Sequence, residues 1–91
     1  MSINPRIRDR DPALTCRRVL LTVRAVGDKA PTKVVEWIDL VIDGNGDGDL
    51  MRIVSFARAA RDGRMTALEA LAVIRDTCIR RIGNVTTAGE A

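Results

Sequence analysis

The 91-residue chain contains no histidine and no tyrosine, one tryptophan, one phenylalanine and two cysteines. Each scarcity counts against a class of chemistry. Histidine is the side chain that ordinarily titrates between about pH 5 and 8 and the commonest metal ligand, so its absence argues against hydrolase triads, zinc centres and histidine-based acid–base catalysis. Two aromatic residues leave almost nothing on which nucleic-acid bases could stack. The cysteines, Cys16 and Cys78, stand singly inside apolar helical patterns and read as buried free thiols of a reducing compartment, not as a disulfide. No run of about 18 apolar residues is present to cross a membrane. The opening MSINPRIRDRD has no apolar stretch of the kind a secretory signal needs, so an intracellular, cytoplasmic protein is expected. No nucleophile elbow, glycine-rich phosphate loop or Cys/His pair occurs, and the expectation is a protein that is not an enzyme.

What is present suits one globular domain: 46% hydrophobic and 30% charged residues. A chain of this length buries only about three-fifths to two-thirds of its unfolded surface, so a partner would add to its stability. Thirteen arginines and two lysines against twelve acids give a net charge of +3. That excess permits an anionic partner without requiring one.

Hydrophobic periodicity predicts an all-α fold, a compact bundle of about four short amphipathic helices. Residues 1–10 form a polar N-terminal arm, 11–83 a helical core and 84–91 a flexible C-terminal tail. The first helix starts with Asp11 as N-cap and Pro12 in its first turn, and Gly27 ends it. Its apolar stripe is Cys16, Val19, Leu20, Val23 and Val26. A thinner stripe of Leu14, Leu21 and Ala25 lies opposite, with Arg17, Arg18 and Arg24 between, so this helix has material to touch a partner on its second face. The segment PTKVVEWIDLVID is rich in strand-forming residues, yet Lys33, Glu36, Asp39 and Asp43 recur every three or four positions, which is a helical period. A third helix, LMRIVSFARAARD, buries Leu50, Ile53, Val54 and Ala57 and ends at Gly63. Thr66 and Glu69 form a capping box that opens the fourth, with Leu71, Ile74, Cys78 and Ile82 inward. Asp76 and Arg80 form an i,i+4 pair, Arg80 and Arg81 complement the C-terminal dipole, and Gly83 stops the helix.

One stretch looks like chemistry. In IDGNGDGDL, residues 42–50, Asp43, Asn45, Asp47 and Asp49 alternate with small residues. Calcium takes six to eight oxygen ligands, and an alternating D-x-N-x-D-G run turns every second side chain inward to supply them. The stretch resembles the EF-hand loop and its dockerin relative. In that likeness Asp43, Asn45 and Asp47 are the first three side-chain ligands, Gly48 the turn glycine, Asp49 a backbone carbonyl donor, and Leu50 the apolar residue that follows. The resemblance implies weak calcium binding. It lapses where the twelfth loop residue should be a bidentate carboxylate, for Val54 stands there on the third helix's apolar stripe, and Met51 at the ninth place offers no oxygen. The same residues also make a turn and a helix cap.

The residues therefore favour a non-enzymatic helical interaction or assembly module. It would bind a protein partner or self-associate through Leu14, Arg17, Arg18, Leu21 and Arg24. A weak calcium-responsive module using Asp43, Asn45, Asp47 and Asp49 is the alternative, and a basic nucleic-acid-associated protein the second, not favoured because Asp9 and Asp11 interrupt the arginines of the arm.

Overall fold

The computed structural model describes residues 12–42 and 46–90, the last seven by their backbone alone. Within them the chain forms α1 (Pro12–Val26), α2 (Pro31–Val41), α3 (Gly48–Arg61) and α4 (Ala67–Glu90), with no strand among the described residues. The all-α bundle expected from periodicity is the fold observed. Residues 1–11, which hold the arm and the expected cap Asp11, lie outside the described residues.

The local signals account for most boundaries. At the end of α1, Gly27 donates its N–H to the Val23 carbonyl at 2.8 Å, and a Cβ there would come within 2.4 Å of that oxygen. Any side chain would therefore force the turn apart. α2 begins with Pro31, whose missing N–H costs nothing in a first turn, and Ala30 supplies no side-chain cap. α3 closes in a Schellman motif: Gly63 adopts φ +82°, its N–H reaches the Ala60 carbonyl, and the Arg64 N–H reaches that of Ala59. The α4 capping box forms in full. The Glu69 N–H donates to the Thr66 hydroxyl at 3.1 Å, and the Thr66 N–H donates to the Glu69 carboxylate at 3.0 Å.

One core holds the four helices together. Ile38, Ile53, Ile74, Val19 and both cysteines are fully buried, and Trp37 and Phe56 pack partly buried against them. Burying aliphatic side chains of this size stabilises by roughly 1.5–3 kcal/mol each before the ordering entropy is subtracted. α4 runs through the middle of the assembly and packs on the other three helices. α1 and α4 are antiparallel, since Cys16 meets Cys78 at one level while Val23 and Leu71 line a common cleft further along.

Two expectations change. Val26, placed on the core stripe of α1, is 41% exposed, while Val23 and Gly27 to either side of it are buried. α4 does not stop at Gly83 but continues to Glu90, so residues 84–90 are helical where a tail was expected. Glycine inside a helix costs about 1 kcal/mol relative to alanine and forbids nothing, and no proline follows to enforce the stop. In consequence Arg80 and Arg81 do not occupy the last turn and cannot serve its dipole.

Candidate functional site

The loop before α3 is built from its cap outward. Asp47 is the N-cap of α3, its Oδ1 accepting the N–H groups of Asp49 at 3.0 Å and Leu50 at 3.1 Å. The same carboxylate meets the guanidinium of Arg81 on α4, whose Nη2 donates to Oδ2 at 3.1 Å. Arg81 Nη1 donates to Asp49 Oδ2 at 2.6 Å and lies 3.4 Å from Asp47 Oδ1. One arginine thus clamps both acids to α4. Its hydrogen bond to Asp49, followed by the charge of Asp47, holds it above its ordinary pKa against partial burial. The three side chains are only 18–30% exposed, so water screens this clamp less than it would a surface pair.

Of the four loop residues picked out as candidate ligands, Asp47 and Asp49 stand side by side, and Asp43 and Asn45 lie outside the described residues. Val54 is buried in the core and Met51 is exposed on α3, so neither supplies a coordinating oxygen. Among the described residues no three acidic or thiol side chains converge as a metal cluster. A cation entering here would have to displace Arg81 and compete with two helix N–H groups for Asp47.

The second candidate surface is the outward face of α1. Leu14 is 47% and Leu21 61% exposed, and Arg17, Arg18 and Arg24 are exposed on the same side. Spacings of three, four and seven residues put all five on one helical face. α1 contains no acidic residue, and Asp28, four positions after Arg24, lies just past its end. The opposite face, Cys16, Val19, Leu20 and Val23, is spent in the core.

Other polar groups have structural employment. Asp39 on α2 accepts from Arg58 Nε at 3.1 Å and Arg61 Nη1 at 2.7 Å, tying α2 to α3. Partial burial pushes the Asp39 carboxyl up, but those hydrogen bonds and charges outweigh it and hold the group below its ordinary pKa. Cys16 and Cys78 are free and buried, with the Cys78 thiol donating to Cys16. That hydrogen bond, with burial, holds Cys78 well above the ordinary thiol range, while accepting it lowers Cys16. Asp76 lies 3.8 Å from its neighbour Arg75, and no pair with Arg80 occurs among the described residues. Arg52 stacks over the Phe56 ring at 5.3 Å.

Arg81 is the residue that the sequence reading assigned to the wrong task. A signal for it exists: Ile74, Cys78 and Arg81 follow one another at helical spacing on the buried face of α4. A charge in phase with an apolar stripe needs a partner across the core, and the acids of another segment are where to look. No protein-family model, curated protein or solved structure matches the chain.

Proposed function

We propose that this protein is a non-enzymatic helical interaction or assembly module that binds a protein partner through the outward face of α1. The observation that carries this reading is the joint exposure of Leu14 and Leu21 among Arg17, Arg18 and Arg24 on a helix whose other face is fully used by the core. An isolated exposed leucine needs no explanation, whereas two on one face, bordered by arginine, match the composition of interface patches. The small size of the chain favours added burial in a complex. Two buried free thiols suit a reducing, intracellular setting. No helix of the described residues is long and apolar enough to cross a membrane.

Light scattering and affinity capture of the full chain, with and without calcium, test the reading. Self-association or specific capture is expected for the native protein and lost in Leu14→Glu/Leu21→Glu. A strict monomer that retains no protein sinks it.

Weak calcium binding is a second reading, supported by Asp47 and Asp49 standing together at the N-terminus of α3. It requires release of Arg81, which places any affinity toward the ~10⁻⁴–10⁻³ M end of the range for such sites. Amide shifts in residues 43–50 on adding millimolar calcium would support it, and their absence dismisses it.

A further inference from the structure

The two cysteines come from opposite ends of the helical core and meet inside it. Cys16 and Cys78 are both free and fully buried, joined by the hydrogen bond that the Cys78 thiol donates. The register of α1 and α4 agrees with that contact. Cys16 stands seven positions before Val23 and Cys78 seven positions after Leu71, and Val23 and Leu71 line one cleft. Two turns along antiparallel helices, about 10 Å, therefore bring the thiols to one level.

We propose that Cys16 and Cys78 form a reversible intramolecular disulfide when the chain meets a peroxide, a redox latch that fixes α1 to α4. The latch would operate whether or not the outward face of α1 has a partner.

Helix geometry suits the bond. Packed helices lie with axes about 8–10 Å apart, and each carries its Cα atoms about 2.3 Å from its axis. Directly facing Cα atoms are then roughly 3.5–5.5 Å apart, which overlaps the roughly 4.4–6.8 Å that a disulfide spans. Nothing has to be cleared from between the sulfurs, because they already touch.

Reaction also needs a thiolate and a way in. The hydrogen bond from Cys78 holds Cys16 below its ordinary pKa against burial, with the Arg81 charge in support and Asp49 and Asp47 opposing it. Cys16 lies in the second turn of α1, close to the end where a helix frays. Cys78 is one turn from Arg81, whose clamp is partly exposed. Metal capture is a poorer use of the pair, since among the described residues no group of three thiol or acidic ligands forms.

The Cys16 sulfur attacks one peroxide oxygen, the O–O bond breaks, and the departing hydroxide takes the Cys16 proton and leaves as water. The Cys78 sulfur then attacks the sulfur of the resulting sulfenic acid. The S–S bond forms and the S–O bond breaks, releasing hydroxide that takes the Cys78 proton as a second water. Two thiols thus give up two electrons and two protons, and hydrogen peroxide becomes two waters. The loop closed in this way takes in α2 and α3, so the bond restricts the unfolded chain strongly.

Treating the folded full chain with hydrogen peroxide, blocking free thiols and mapping its tryptic peptides tests the latch. The expected product joins the peptides of residues 11–17 and 76–80, lighter than the two free peptides by two hydrogens, in a chain that stays monomeric. The linked sample should melt roughly 10 °C or more above the same sample after reduction by a dithiol, a comparison that methionine oxidation leaves unchanged. Cys78→Ala should abolish that difference. The peptide map reads the bond in the native chain, so the test stands even where the variant fails to fold. Thiols that stay free, sulfinic acid at Cys16 or Cys78 with no link, disulfide-bonded dimers, or a link that forms only in denaturant would each overturn the proposal. So would a linked chain that melts no higher than the reduced one.

Discussion

The start of α3 and the outward face of α1 both carry several charges within a few residues, and the fold treats them in opposite ways. Asp47 is drawn onto Arg81 and onto the first N–H groups of α3, and Asp49 gives one carboxylate oxygen to the same arginine, so both acids already serve the fold. On α1, Leu14 and Leu21 stand exposed beside Arg17 and Arg24, on a helix that contains no acid. The loop has the more conspicuous sequence and the more internal role. A pattern of residue types shows what a segment could coordinate, whereas tertiary partners decide whether its atoms are still available.

The largest expected effect lies on the closed side of this contrast. Asp47→Ala removes the cap of α3 and half of the Arg81 clamp together, and should lower stability by about 2 kcal/mol, combining a cap of ~1 kcal/mol with a partly buried ion pair of similar size. For a domain of this length that corresponds to a fall of roughly 10 °C in melting temperature, measured by calorimetry. A change within experimental error would show that the loop is not held as described.

Arg81→Gln tests the clamp without touching the cap. A loss of about 1 kcal/mol is expected in denaturant unfolding. The same variant frees Asp47 and Asp49, so millimolar calcium should move the amides of residues 46–50 more than in the native protein. Equal shifts in both would show that Arg81 does not compete with a cation.

Acid should weaken the fold by a smaller amount. Asp39 is held below its ordinary value of 3.8: partial burial opposes this, but the hydrogen bonds and charges of Arg58 and Arg61 prevail. The Thr66 backbone N–H, then its hydroxyl, holds Glu69 below 4.5. A carboxyl whose folded pKa lies below its unfolded one contributes its stabilisation in full above the unfolded value and loses it as pH falls through the folded one. The unfolding free energy should therefore be flat above about pH 5 and decline from there through and below pH 4. Because Arg58 and Arg61 are about half exposed (54% and 50%), the Asp39 share is expected to stay under about 1 kcal/mol. Asp39→Asn should flatten that part of the curve.

The smallest effect on stability belongs to the open side. Leu21 is 61% exposed, so Leu21→Glu should change stability by no more than about 0.5 kcal/mol. A large loss would mean that the face of α1 is part of the core and not a free surface.

Much of this fold was legible because its signals are local. The capping box at Thr66 and Glu69, the stops at Gly27 and Gly63, an aspartate cap for α3 and the three-to-four-residue rhythm of Lys33, Glu36 and Asp39 each act within one or two turns of helix. The exposed face of α1 was legible too, since a second apolar stripe on a short helix has nowhere to go in a small bundle. What was not legible depends on residues far apart in the chain. Asp47 and Arg81 are separated by 34 positions, and Asp39 and Arg61 by 22, and no local rule pairs them. The cleft that Val23 and Leu71 line appears only once α1 and α4 lie antiparallel. The extension of α4 past Gly83 was missed for another reason: glycine is read as a stop by habit, yet it ends a helix only where the backbone needs a conformation or a space that other residues cannot take. Gly27 and Gly63 meet that condition.

A photo-crosslinking amino acid placed at position 21 and, separately, at position 51 tests the central claim most directly. Both sites are exposed, Leu21 on the face of α1 and Met51 on α3 beside the clamped loop. The account predicts covalent adducts to a protein partner from position 21 and none from position 51. Adducts from position 51 alone would contradict it and return the functional surface to the loop.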